Sequence, residues 1–259
     1  MNMIVCVKEI LDPEIPAKFF KVDAETQRAI KPSDIKLVIS DYDESAMEAA
    51  LKIKDAVASK ITVISLGSES ATNVIRHCIA MGADEGIWLS DPLFIDNDSY
   101  ATAFILAETI KKIGDYDLIL CGRQEGDWDA GQVGSGIAEL LGISSITMIG
   151  GIEVRDGKII VERVLIDGRE TVEVATPALV TVSSEVGEPR YPPLRRIREA
   201  GKREIPVWTA QDVAPAKAKN RMLSLSIPTR VAKCEFITGA TPEEAGANLA
   251  LKLKGAKLA

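Results

Sequence analysis

The sequence predicts an α/β protein: a doubly wound, mainly parallel sheet with helices on both faces, an added β-ribbon and a C-terminal arm. Three observations predict it. Short β-branched runs alternate with segments of helical period as far as Gly142, the rhythm of strands joined by crossover helices. Residues 145 to 183 then read as strands separated by turn residues, and beyond Pro206 little remains that could form a core.

Met3 to Lys8 (MIVCVK) suits a central parallel strand buried on both faces. A dinucleotide-binding Rossmann domain would place G-x-G-x-x-G at the next turn, but Glu9-Ile10-Leu11-Asp12-Pro13 holds no glycine, and the nicotinamide-dehydrogenase reading fails there. Residues 13 to 41, polar and broken by Pro16 and Pro32, predict a long excursion. Asp43 to Ala56 places Met47, Ala50, Leu51 and Ile53 at helical spacing behind an acidic start that suits the helix dipole. Ile61 to Gly67 is the second strand, Glu69 to Met81 the second helix, Gly86 to Ser90 the third strand and Tyr100 to Ile113 the third helix. Tyr116 to Leu120 is the fourth strand. Right-handed crossovers put the site of such a sheet at the carboxyl ends of its strands near the switch point. Cys6, Val7 and Lys8 on the first strand and Cys121 and Gly122 on the fourth are expected to flank it.

The fourth strand empties into CGRQEGDWDAGQVGSGIAELLG, Cys121 to Gly142, where Gly131, Gly134 and Gly136 open a helix faced by Ile137, Leu140 and Leu141. Unpaired N–H groups and the dipole at such an end favour an anion. Asp127 and Asp129 would repel phosphate and fit an N-cap or a ribose-hydroxyl acceptor better. An ordinary βα loop with its cap fits the same residues, and the glycines alone do not choose.

Further on, Arg155-Asp156-Gly157 and Asp167-Gly168 predict hairpin turns. The alternation over Lys158 to Leu165 and Glu170 to Val174 predicts a ribbon packed on the main sheet, with Pro177 to Val182 a final buried strand. Glu188 to Glu204 (EPRYPPLRRIREAGKRE) gathers Arg190, Arg195, Arg196, Arg198, Lys202 and Arg203 beside Tyr191 and Leu194. A solvated basic loop and a ligand for polyproline-binding domains are two readings. An apolar anchor, Leu194, in a basic rim that docks a negatively charged partner is the third. Thr241 to Lys254 is a short helix capped by Thr241 and started by Pro242, better explained as an arm on another subunit than as a domain.

Composition bounds the function. At 259 residues, with 46% hydrophobic and 27% charged residues, the chain can bury a full core. A net charge of -7 argues against nucleic acid. No run approaches a membrane span and the N-terminus lacks a signal peptide's regions, so the expected location is cytoplasmic. Cys6, Cys78, Cys121 and Cys234, scattered without a C-x-x-C pair, read as reduced core residues rather than disulfides or a zinc site. His77, the only histidine, suits a helix flank and excludes chemistry that needs several.

Taken in order, these stretches resemble the β subunit of electron transfer flavoproteins over nearly the whole chain. The carrying pieces are Val5 to Lys8 (VCVK), Ala46 to Asp55 (AMEAALKIKD), Met81 to Leu89 (MGADEGIWL), Cys121 to Gly134, and Glu188 to Leu194 (EPRYPPL). Arg163, Asp167-Gly168, Glu170-x-Val172 and Pro177 to Thr181 match the family signature, with Ile166 where an acidic residue is expected. The resemblance implies a heterodimer whose α subunit holds an FAD, while the β subunit holds a second nucleotide: AMP in most members, a second FAD that accepts hydride from NADH in the bifurcating branch. It implies nucleotide contacts at Cys6, Ser40, Asp41, Tyr42, Asp43, Leu66, Arg123, Gln124, Glu125, Gly126, Asp127, Trp128, Asp129, Ala130, Gly131, Gln132, Val133 and Gly134. It also implies docking on an acyl-CoA dehydrogenase or related flavoenzyme through residues 184–204, with Tyr191, Leu194, Arg195 and Arg196. Residues 1–225 would then form the nucleotide-binding domain and 226–259 an arm on the α subunit.

Gln132-Val133-Gly134, with Asp43 ahead of the first helix, resembles the bifurcating branch; AMP-binding members tend to end this run in Asn-Gln-Thr-Gly. Ser40-Asp41 in place of the usual Asn-Pro, and Trp128 and Gly131 in the loop, depart from the pattern. The alternative function is a stand-alone adenine-nucleotide-binding module of the stress-protein type, which would need neither ribbon, basic stretch nor arm. Either way, a bound cofactor carries its own chemistry and the protein binds, orients and tunes it, so no catalytic residue and no metal ligand stands out.

Overall fold

The structure, a computed structural model, describes residues 1–23, 25–30, 35–156, 158–228 and 234–258. Pro32 and Gly157, used above for the excursion and for one hairpin turn, lie outside the described residues. Contacts divide the chain into a unit of Met1–Ser224 and a second of Leu225–Ala259.

The first unit opens with β1 (Asn2–Cys6) and β2 (Glu9–Leu11), and the excursion carries three short strands: β3 (Lys21–Val22), β4 (Ala29–Ile30) and β5 (Leu37–Ile39). β2 pairs antiparallel with β5, and β3 with β4. The pairing of β5 with β2 returns the chain beside the end of β1, where α1 (Asp41–Ala56) begins. Then follow β6 (Lys60–Leu66), α2 (Ala71–Met81), β7 (Glu85–Leu89), α3 (Ser99–Ile113), β8 (Leu118–Gly122) and α4 (Val133–Leu141). After these come β9 (Ser144–Arg155), β10 (Lys158–Leu165), β11 (Gly168–Val174), β12 (Ala178–Val182), α5 (Leu194–Gly201) and β13 (Val207–Trp208).

One sheet runs β11-β10-β9-β12-β8-β1-β6-β7-β13. From β9 to β13 every neighbouring pair is parallel. The chain winds outward from β1 to β6 and β7, then crosses back to β8 on the other side of β1, so the switch point lies between β1 and β8. Alternate residues of each strand face opposite layers. Met3 and Val5 of β1 join the core under α1 and α2, whereas Ile4 and Cys6 join the core under α3 and α4.

Three expectations change. The ribbon does not lie on the sheet but extends it in plane: β9 is long enough for its first half to pair parallel with β12 and its second half antiparallel with β10. The register shifts between Val180 and Val182, where the Met148 N–H turns to the Thr181 hydroxyl at 3.0 Å. The segment after Pro206, expected to be linker, contributes β13, whose two residues are too few to show a period. Part of the basic stretch is helical as α5, with Ala200 buried and Arg195 paired to Glu199 one turn on. Its many cations hid that narrow apolar stripe.

In the second unit α6 (Pro242–Gly255) starts at Thr241, whose hydroxyl accepts the Glu244 N–H at 3.3 Å, and none of its residues is buried. Cys6, Cys78 and Cys121 are buried as expected; Cys234 is exposed, because its segment has no core to enter. Among the described residues no helix is long and apolar enough to cross a membrane.

Candidate functional site

The carboxyl ends of β1 and β8 are tied together by one side chain. Asp43, in the first turn of α1 and 8% exposed, accepts the Lys8 N–H on Oδ2 at 2.9 Å and the Gly122 N–H on Oδ1 at 3.0 Å. Gly122 permits this approach, since a Cβ there would lie 2.5 Å from Asp43 Oδ1 and 2.8 Å from the Tyr42 backbone. Burial pushes the Asp43 carboxyl up to about 7, while the two backbone donors and the Lys8 charge pull it down. Cys6 and Cys121 sit side by side at the same strand ends; the contact with Cys6 and burial push the Cys121 thiol well up, so it stays protonated.

The glycine-bearing loop closes over these ends. The Arg123 N–H bonds to the Val182 carbonyl at 2.8 Å, carrying β8 one residue further along β12. Arg123 Nη2 donates to the Tyr42 hydroxyl at 2.8 Å, and its guanidinium stands 4.5 Å from the centre of that ring. Its Nε is buried with no hydrogen-bond partner among the described residues. The Gly126 N–H reaches the Ser40 hydroxyl at 3.2 Å, and Lys8 Nζ holds both oxygens of Asp127 at 2.7 and 2.9 Å. Gln124 Nε2 donates to Asp129 at 2.8 Å, and the Gly131 N–H faces Glu125 at 3.4 Å. Asp129 and Gly131 take the left-handed turns, at φ 51° and 62°. Trp128 is 58% exposed.

The structure thus gathers Cys6, Ser40, Tyr42, Asp43, Arg123, Glu125, Gly126 and Asp127 around the β1 and β8 ends. Leu66 ends β6, the strand on the other side of β1. Ala130 leads into Gly131, and Asp41 is exposed at the α1 start. Neither Asp127 nor Asp129 caps α4. The cap position is Gln132, whose side chain makes no capping bond, because both aspartates are already taken by Lys8 and Gln124. Val133 and Gly134 open α4; a Cβ on Gly134 would lie 2.8 Å from Thr181 Cγ2, so the glycine serves the packing of α4 on β12. A groove of about 440 Å3 elsewhere, lined by Asp12, Leu37, Ile39, Glu44, Val74 and His77, shares only Asp41 with the expected contacts.

Of the docking residues, Tyr191 is 84% and Leu194 62% exposed. Arg195, its side chain 88% exposed, is paired to Glu199 one turn on, and Arg196 Nη1 is bonded to the Met81 carbonyl at 3.0 Å. Sequence reasoning placed Lys8 at the flank but missed its bond to Asp127, a contact between residues far apart in the chain. It also missed Ser65 and Ser183, buried hydroxyls at the ends of β6 and β12 without partners among the described residues. A lone serine carries no pattern that would have found them.

The fold and the residues gathered at its strand ends define a doubly wound α/β protein with a glycine-bearing loop closed over its switch point, the place where this class takes its ligands. A family model described as electron transfer flavoprotein domain matches residues 29–213. The electron transfer flavoprotein subunit beta of Thermoanaerobacterium thermosaccharolyticum is 37% identical over 261 residues, covering 98% of each chain. The caffeyl-CoA reductase-Etf complex subunit CarD of Acetobacterium woodii is 36% identical over 263 residues, again 98% of each. The acryloyl-CoA reductase electron transfer subunit gamma of Anaerotignum propionicum is 37% identical over 202 residues, 77% of this chain and 74% of that one. This chain belongs to the electron transfer flavoprotein family, on its β-subunit side, and its function is electron transfer.

Proposed function

We propose that this chain pairs with an α subunit carrying FAD, that its crevice holds an adenine nucleotide, and that the complex passes electrons between an acyl-CoA dehydrogenase-type flavoenzyme and an acceptor. Residues 1–225 form the nucleotide-binding domain, 184–204 dock the partner and 226–259 reach the α subunit. The names of the Acetobacterium woodii and Anaerotignum propionicum relatives, both tied to acyl-CoA reductases, support the partner class.

The observation that carries the nucleotide reading is the distribution of charge in the crevice. Asp127, which would repel phosphate, is neutralised by Lys8, and Asp129 is occupied by Gln124. Arg123 keeps a buried Nε without a partner among the described residues, and α4 starts without a side-chain cap; donors of both kinds suit a diphosphate. Gln132-Val133-Gly134 and Asp43 favour a second FAD over AMP. When bound, that flavin supplies an electron-accepting ring able to take hydride from NADH. The chain's own task is to hold the phosphates with Arg123 and the N–H groups at the uncapped start of α4, and to keep the strand ends together through Asp43.

Counting the nucleotides released on denaturing the purified two-subunit complex tests this. Two FAD and no AMP per complex are expected. One FAD with one AMP makes the same loop a structural site, and one FAD alone sinks the nucleotide reading.

A further inference from the structure

We propose that Arg190 is a positioning residue for partner docking: clamped between Glu48 and Asp55 of α1, it fixes how the Tyr191 to Leu194 turn presents its two exposed apolar side chains. The inference rests on the docking reading of residues 184–204.

Composition counts Arg190 among the cations of a basic docking patch. The structure spends its charge inward. Its backbone N–H and Nε both donate to Glu48 Oε2, at 3.0 and 2.9 Å, and Nη2 donates to Glu48 Oε1 at 2.9 Å. Nη2 also reaches Asp55 Oδ2 at 2.8 Å, and Nη1 lies 3.4 Å from Asp55 Oδ1. Glu48 is 4% exposed, so its carboxylate depends on this fork rather than on water. Lysine, a point charge whose three donors leave one nitrogen, cannot reproduce a planar fork that spans two carboxylates.

The clamp has a second jaw. Lys52 donates to the Val186 carbonyl, just ahead of Gly187, where the chain turns at φ 109°. Glu48, Lys52 and Asp55 stand at i, i+4 and i+7, one face of α1, so a single helix grips residues 186 to 190. Downstream, Arg196 is bonded to the Met81 carbonyl, and Arg203 Nη1 to the Asp84 carbonyl at 2.7 Å. Between the two anchorages lie Tyr191, buried Pro192, Pro193 and Leu194, with little backbone freedom left by two consecutive prolines. An apolar pair held in this way reaches a partner without first being ordered, which lowers the cost of association.

The test measures electron transfer from an acyl-CoA dehydrogenase, reduced by its acyl-CoA, to the purified two-subunit complex, with KM for the complex and kcat determined separately. Arg190→Lys keeps the charge and removes the fork; it is expected to raise KM about tenfold, equivalent to about 1.4 kcal/mol, with kcat and nucleotide content unchanged. Asp55→Asn opens one arm at an exposed site without disturbing Glu48. By charge alone it would strengthen docking to an acidic partner, so a raised KM here separates positioning from steering. Leu194→Ala is the control for the docking reading. If Leu194→Ala raises KM and neither clamp variant does, the role of Arg190 is overturned and the docking reading stands. If Leu194→Ala leaves KM unchanged, both fall. Should Arg190→Lys fail to fold, Asp55→Asn decides alone, and a wild-type KM overturns the proposal.

Discussion

Replacing Asp43 by asparagine tests what holds the crevice floor. Its two oxygens accept N–H groups from Lys8 on one strand end and Gly122 on the other. An amide offers one acceptor and turns an NH2 group toward the second N–H, leaving a buried donor unmade at about 1–3 kcal/mol. The pH dependence separates two causes. Burial raises the folded carboxyl from its ordinary 3.8 to about 7. Between these values the native state keeps a proton that the unfolded chain has lost, so the Asp43 contribution to stability is complete below pH 3.8 and falls as pH rises toward 7. At about 1.4 kcal/mol per pH unit, a slope that halves at the folded value, the loss between pH 5 and 8 is about 2.5 kcal/mol. Asparagine cannot titrate. The penalty of Asp43→Asn, measured by urea unfolding at pH 5, 6, 7 and 8, is therefore expected to be largest at pH 5 and to shrink by that amount toward pH 8. A penalty that is constant, or grows with pH, would refute the reasoning and show that the two backbone donors outweigh burial and keep the carboxylate ionised.

Three further outcomes follow from the geometry. Lys8→Met strips Asp127 of its counter-charge, which at about 1 kcal/mol or more of unscreened repulsion should release at least several-fold more nucleotide from the two-subunit complex on dialysis; full retention counts against the crevice as the nucleotide site. Gly134→Ala pushes a Cβ to 2.8 Å from Thr181 Cγ2, an overpacking cost of about 1–3 kcal/mol that Ala's helical preference, up to about 1 kcal/mol, only partly offsets. Thr181→Ser removes that methyl while keeping the hydroxyl that accepts the Met148 N–H, so the double variant should unfold at higher urea than Gly134→Ala alone. Asp98→Ala loses the N-cap of α3 to Ala101 and the bonds from the Lys219 and Asn220 N–H groups. It should cost about 1–3 kcal/mol and speed limited proteolysis around residues 217 to 224; an unchanged cleavage rate would show that the tie is not what orders that segment.

The alternation of strands and helices, the doubly wound sheet and the place of its switch point were legible in the sequence, because they follow from local periodicity and chain direction. The capped start of the last helix was legible for the same reason, since Thr241 and Pro242 act within one turn. The loop's glycines and charges could be named, but not how they pair. Lys8 meets Asp127 across 119 positions and Arg190 meets Glu48 across 142, and no local pattern encodes such partners. Only the sheet, by bringing β1, β8 and β12 side by side, decides that Asp43 spans two strand ends and that Arg123 keeps a donor unspent. Only the packing of residues 186–190 on α1 turns Arg190 from a cation of a basic stretch into a clamp. The sequence fixes what each residue can do within a few neighbours; which of those capacities is already used, and which is left for a ligand or partner, depends on distant segments meeting in the folded chain.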